Sequence, residues 1–280
     1  MPTTFSQNIF INNGVNASKI RVVGEPIDTD FYMPVDISSS LSSLSSSLSS
    51  PSSSLSPLIK YRNEDKFIFL FVGKWESRKG ARVLLRAFFT GFNDDDDVIL
   101  TVVTSAYHST SDFMGEIKKT LVTESLSVSE KMLSKLIVIS SVPQKSMPLL
   151  YSLANILVIP SHGEGWGRPH VESMSCGTPV IATFWSGPTE YLTVENGYPL
   201  NHNGLIPTPN WDGHNWANPD ESHLRSLMRH AYENPDEVKE KGKVARNDMM
   251  KYSLANMGQI VHNEVDRYDY YINYYHYYHY

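Results

Sequence analysis

Two carboxylates stand eight positions apart in PSHGEGWGRPHVESMSCG (160–177): Glu164 inside a Gly-Trp-Gly turn, and Glu172 beyond Pro169. A carboxylate pair can do acid and base work on a glycosidic or phosphate bond. Glycines running into a helix start can instead cradle a phosphate or a hydroxyl-rich ligand, because they let backbone N–H groups approach it. Pro169 suits a first helical position and Gly177 a helix-ending one, so a capped helix with Glu172 merely exposed is the plainer alternative. A second cluster lies upstream in GKWESRKG (73–80), where Lys74, Arg78, Lys79 and Arg82 fall within nine residues. Cations at a helix start oppose the macrodipole unless an anion is bound, which points to a diphosphate, the alternative being a solvated basic loop. Neither GxGxxG nor GxxxxGK[ST] is present, so no dinucleotide fingerprint or Walker loop explains these glycines and lysines.

Both clusters follow apolar runs that read as buried strands. FIFLFV (67–72), VILTVV (98–103), LIVI (136–139), ILVIP (156–160) and PVIAT (179–183) alternate with helical patterns at 80–92, about 110–126 and about 145–153. Strands alternating with helices predict an α/β fold, a Rossmann-like doubly wound parallel sheet with helices on both faces. In such sheets ligands lie beyond the carboxyl ends of the strands, where both clusters fall. From about 221 onward the pattern is helical, broken at Asn234-Pro235. Residues 37–57 are almost pure Ser, Leu and Pro and are expected to be disordered. The predicted organisation is a 1–36 connection, a 37–57 linker, a 58–265 domain and a Tyr/His-rich tail at 266–280, either docked on another surface or frayed.

Bulk properties narrow the function. With 280 residues and 41% apolar content the chain can bury one substantial core. A net charge of −6 argues against a nucleic-acid partner, and Cys176 as sole cysteine removes disulfides and cysteine-based zinc sites. No run of 18 apolar residues spans a bilayer and MPTTFSQNIFINNG lacks a leader's basic and apolar regions, so a cytoplasmic location is expected. Asp94–Asp97 and Asp28-Thr29-Asp30 contain D-x-D, but they read as a solvated turn and a cap; no metal site is expected, His276 and His279 included. His162 and His108 are loop histidines that could line a cleft, and Cys176 reads as a small packed residue.

Glu164-x7-Glu172 followed by CGTPVIAT and SGPTEYL resembles the retaining nucleotide-sugar glycosyltransferases of the GT-B type, group 1 or family 4, in their donor-binding half. FLFVGKWESRKGARVLLRAF and HNWANPDESHLRSLMRHAYENPDE are similar to the same family, and IRVVGEPIDTDFYMP (20–34) to its inter-domain connection, so the likeness runs from about 60 to 265. The resemblance implies transfer of a hexosyl group from a UDP- or GDP-sugar to an unidentified glycan, lipid or protein acceptor, with retention and without a cofactor or metal. It places Glu164 on the sugar hydroxyls, Glu172 on the ribose, and the Gly165-Trp166-Gly167 amides on sugar and diphosphate. Lys74 and Lys79 would neutralise the leaving diphosphate, with Gly73 and Arg78 beside them. At the first of these positions the family more often has arginine, so Lys74 acts as a point charge without the bidentate fork. The likeness also implies a separate acceptor domain preceding this one. A non-catalytic nucleotide-sugar-binding module is the alternative, and a nucleotide-sugar epimerase on the same fold a remoter one.

Overall fold

The computed structural model describes residues 1–37, 54–105, 112–209 and 212–278, and side chains to residue 267. Six parallel strands form the central sheet: β1 (Phe67–Val72), β2 (Val98–Val103), β3 (Leu136–Ile139), β4 (Ile156–Ile159), β5 (Val180–Thr183) and β6 (Tyr198–Leu200), in the order β3-β2-β1-β4-β5-β6. This is the order of the doubly wound Rossmann sheet, whose switch point lies where β1 meets β4. The five strands anticipated from their apolar runs are present with their residues within one position, because each is buried on both faces as β1, β2, β4 and β5 show. β6 and a polar hairpin, β7 (His202–Pro207) with β8 (Asn215–Pro219), were not anticipated.

Among the described helices, α1 (Thr4–Asn12) and α2 (Ser56–Asn63) precede the sheet, and α3 (Ala81–Gly91), α4 (Phe113–Thr123), α5 (Glu130–Leu133) and α6 (Met147–Leu153) cross between its first strands. α7 (Arg168–Ser175) follows β4; α8 (Glu221–Glu233), α9 (Pro235–Met249) and α10 (Leu254–Tyr278) close the chain. Leu84, Leu85 and Phe88 of α3 pack with Phe69 and Phe71 of β1, and Leu224 and Met228 of α8 join them in one core. None of the described helices is long and apolar enough to cross a membrane.

Of the segment expected to be disordered, 38–53 lies outside the described residues. Its margins do not conform: Ile37 packs on the core, Leu55 is 1% exposed, and Ser56 starts α2. Leucines at the edge of a serine tract find apolar partners that the tract's composition conceals. The 1–36 segment is also bound along its length. The Ile27 amide donates to the Tyr252 carbonyl at 2.8 Å, and Tyr32 is buried, its carbonyl accepting from Arg246 at 2.9 Å and from the Ser175 hydroxyl at 2.7 Å. Asp28 caps its own turn, accepting the Phe31 amide at 2.9 Å, as expected of a capping aspartate. The Asp94–Asp97 turn is likewise internally engaged: Asp96 pairs with Arg229 at 2.7 Å and Asp97 with Lys66 at 2.6 Å.

The ends of β1 and β4 touch through one glycine. Gly80 has φ +72°, and a Cβ there would lie 1.9 Å from the Pro160 carbonyl oxygen. Both the left-handed backbone and the contact demand glycine. Gly80→Ala is therefore expected to destabilise the domain by about 2–3 kcal/mol, lowering Tm by roughly 4–10 °C in a thermal melt; an unchanged Tm would show that the two loops do not press together.

Candidate functional site

The two loops joined at Gly80 carry the charged cluster. Glu164 has a side chain only 6% exposed, and Lys79 Nζ approaches its carboxylate oxygens at 2.8 and 3.0 Å. Arg78 Nη1 reaches Glu164 Oε2 at 3.1 Å and also donates to the Gly163 carbonyl at 2.7 Å, while Nη2 holds Glu76 at 2.8 Å. The main chains meet too, the His162 amide donating to the Arg78 carbonyl at 2.8 Å. The direction of Arg78, open in the sequence, is thus toward Glu164. Burial alone would raise the Glu164 carboxyl, but Lys79 and Arg78 outweigh it and hold the group below the ordinary carboxylate range. Glu164 is ionised at neutral pH and fully engaged by cations.

A brace after β5 shapes the glycine turn. The Glu164 amide donates to Ser186 Oγ at 2.9 Å, the Gly187 amide to the Glu164 carbonyl at 2.8 Å, and the Tyr191 hydroxyl to the Trp166 carbonyl at 2.7 Å. The carbonyls of Glu164, Gly165 and Trp166 all lie 2.8 Å from where a Gly187 Cβ would stand. In trans peptides N–H points opposite to C=O, so the N–H groups of Gly165, Trp166 and Gly167 turn away from Gly187. They meet no acceptor among the described residues. With the start of α7 they form a concave set of donors suited to an oxyanion or hydroxyls. Ser186 holds this brace at φ +58°, strain of a kind that collects at functional sites. The Trp166 side chain is 2% exposed, packed edge-on to Tyr191 and Tyr252 at 5.1 Å, so Trp166 offers a ligand its backbone alone.

The other expected residues are placed unevenly. Gly73 ends β1, its amide donating to the Val103 carbonyl at 3.1 Å, and Lys74 is exposed at the start of the turn. Glu172 sits in α7 against Tyr151, whose hydroxyl donates to Oε2 at 2.9 Å, with Arg168 Nε at 3.6 Å from Oε1. Burial raises its carboxyl, opposite to Glu164. Glu164 lines a cavity of about 700 Å3, and Glu172 is not among the residues that line it. His162 does line that cavity. Its Nδ1 lies 2.7 Å from the Ala217 carbonyl, which fixes the proton on Nδ1, and its ring stacks on Trp216 at 5.2 Å. Cys176 caps α7 in the interior, its thiol pushed up to about 12 by burial. His108 falls outside the described residues, as do the other residues of 106–111.

Sequence reading missed Ser186, Trp185, Trp216 and His170. SGPTEYL was the available signal for the first of these, and HNWANPDE contained Trp216, although its hairpin carries no apolar alternation to mark it as a strand. His170 is wholly buried in the first turn of α7, and burial lowers it to about 4. Both ring nitrogens lack a hydrogen-bond partner among the described residues, so it stands neutral beside Glu164.

Strand order and switch-point site together define a Rossmann-like α/β domain of the GT-B class. The family model for "Glycosyl transferases group 1" matches residues 59–219, more than half the chain, and the chain belongs to that family. A D-inositol 3-phosphate glycosyltransferase of Streptosporangium roseum is 32% identical over 126 residues, 44% of this chain and 28% of that protein. Spore coat protein SA of Bacillus subtilis is 28% identical over 135 residues, 48% of this chain and 34% of that one. The chain thus spans about a third or less of these curated relatives. The fold matches Anabaena HepE, solved in complex with UDP, with a TM-score of 0.71 at 18% identity, covering 95% of this chain and 62% of that one. It also matches the C-terminal domain of the Francisella tularensis group 1 family protein LpcC, with a TM-score of 0.57 at 17% identity, over 81% of this chain and 99% of that one.

A pH dependence follows from His170. Its folded pKa of about 4 lies below the ordinary value, so between the two the unfolded chain binds a proton that the fold excludes. Stability is expected to fall as pH drops from about 6.5 to about 4, by up to roughly 3 kcal/mol. Denaturant titrations across that window should show a shallower decline for His170→Leu; equal slopes would contradict a neutral buried imidazole.

Proposed function

We propose that the chain is the donor-binding part of a glycosyltransferase that moves a hexosyl group from a UDP- or GDP-sugar to an acceptor with retention of configuration. The observation that carries this is the Glu164–Lys79–Arg78 cluster at the switch point, beside the outward-turned amides of Gly165, Trp166 and Gly167. Breaking a glycosyl–phosphate bond builds positive charge on the sugar and negative charge on the departing diphosphate. Lys79, Arg78 and the α7 amides stabilise the latter, and Lys74 adds charge from the loop's start. Preorganised donors of this kind are commonly worth about 3–4 kcal/mol each in transition-state stabilisation. Glu164 accepts from the sugar hydroxyls and supplies negative potential near the anomeric centre; Glu172 holds the ribose.

Retention is supported by what Glu164 is doing. A carboxylate clamped by two cations and held below its ordinary range is a poor nucleophile and a poor proton donor. Glu172 does not share its cavity, so the two do not make the facing pair of a hydrolase. Attack by the acceptor on the face that the diphosphate leaves requires neither role.

Calorimetry with UDP and GDP tests the reading. One of them should bind, and Lys79→Ala should weaken it by about 10–100-fold, the scale of one charge-assisted hydrogen bond. Absence of binding by either nucleotide would sink the proposal. Glu164→Gln frees Lys79 from its internal partner. It should leave the affinity for the bare nucleotide within about threefold, or tighten it, while removing the affinity difference between nucleotide and nucleotide-sugar. Nucleotide-sugar binding without transfer to any acceptor would favour a non-catalytic module.

A further inference from the structure

The cavity lined by Glu164 continues past the charged cluster into a region that the donor reading leaves unused. Its walls come from Phe5, Asn8, Ile9 and Asn12 of α1, Trp185 after β5, and the hairpin, through Leu205 of β7 and Asn215 with Trp216 of β8. Phe5, Asn8 and Asn12 recur at helical spacing, so α1 turns one stripe toward the cavity. Trp185 meets Phe5 edge-on at 4.9 Å and His202 at 5.2 Å, while Trp216 lies flat on His162. Both indoles stay half-buried, and the three asparagine side chains are exposed.

The charge at this end is close to zero. Arg78 and Glu164 are the ionised residues among those lining the cavity, and they pair with each other. His162 adds no charge, since burial lowers its ring by more than the hydrogen bond from its Nδ1 to the Ala217 carbonyl raises it. A phosphate-bearing headgroup would find no spare cation here among the lining residues. An acyl chain would meet Ile9 and Leu205 but make no use of the three exposed amides, which would keep their water. A sugar ring fits both constraints. Its C–H face packs on the electron-rich face of an indole. Its hydroxyls both donate and accept, and a primary amide offers the matching pair of functions.

We propose that this part of the cavity is an acceptor subsite for a neutral sugar ring, so that the acceptor is a carbohydrate rather than a lipid or a peptide. The assignment rests on the donor reading above, which puts the anomeric carbon at the Glu164 end. An acceptor hydroxyl oxygen entering from the tryptophan end bonds to that carbon as the carbon–oxygen bond to phosphate breaks. The bonding pair leaves with the diphosphate, and the hydroxyl proton passes to a diphosphate oxygen. Trp185 and Trp216 hold the acceptor ring, and the asparagines orient it.

Saturation-transfer NMR on the full chain with bound UDP or GDP, using methyl glucoside, methyl mannoside, methyl galactoside and maltose as probes, tests this. At least one probe should receive magnetisation. Trp216→Ala and Trp185→Ala should each weaken it about tenfold, the scale of losing one stacked ring, while Trp216→Phe restores most of it. Nucleotide affinity measured in parallel should stay within about twofold in all three variants. Nucleotide binding without saccharide contact would overturn the subsite and leave the donor reading intact. Saccharide contact that survives both alanine changes would overturn it too, as would loss of nucleotide affinity in Trp216→Ala. Binding to phosphatidylglycerol vesicles in place of the saccharides would make the acceptor a lipid and equally refute it. A wild-type chain that binds neither nucleotide would instead remove the donor reading and, with it, the acceptor role.

Discussion

A buried carboxylate ionised by cations from another loop is the interaction on which the site depends. Taking one partner of such a cluster away typically costs about 3–5 kcal/mol, because the remaining charge is stranded away from water. Glu164 is reached only through the turn after β4, and Lys79 and Arg78 only through the turn after β1. The cluster exists because β1 and β4 are neighbours in the sheet, although 83 residues (73–155) lie between the end of β1 at Val72 and the start of β4 at Ile156. Sheet order is therefore a chemical fact about this protein as much as an architectural one. On the proposed donor reading, an incoming diphosphate exchanges at these ion pairs for an internal anion, which softens the desolvation cost of binding.

The elements that make this geometry were legible where the chain is buried on both sides. FIFLFV and ILVI can be read as strands because no polar residue interrupts them until a turn begins, and VILTVV because Thr101 alone does so among five aliphatic residues. Hydrophobic burial and local pattern agree there, so the inference needed no tertiary knowledge. β7 and β8 fail that test. HNGLIP and NWANP are polar, mostly exposed, and held by each other and by the His162–Trp216 stack, contacts that arise only after the sheet has formed. Ile37 and Leu55 fail it for a related reason: one leucine in a serine run is invisible to composition but not to a core with room for it.

The site was legible as a set of residue types and much less so as an arrangement. Two carboxylates eight apart read as a pair, yet a helix start intervenes: Glu164 meets Lys79 and Arg78, and Glu172 meets Tyr151 and Arg168. One is pulled toward ionisation by cations; the other is pushed toward protonation by burial against Tyr151. Trp166 was expected to offer a ligand its amide, and its ring is a core residue that fixes the peptide groups around it. His170 was passed over because one histidine in a helix carries no spacing signal. Only its complete burial without a partner marks it.

The contact of Gly80 with the Pro160 carbonyl has a consequence for how this domain can diverge. Two loops that interlock backbone to backbone cannot be exchanged one at a time. A replacement for the cationic turn must bring a glycine at the same place, and a replacement for the glycine turn must present its carbonyl to the same spot. The cationic and carboxylate halves of the site are thus inherited as one part. Novelty is left to the pieces that merely lean on it: the hairpin, the N-terminal helix and the segment after β5.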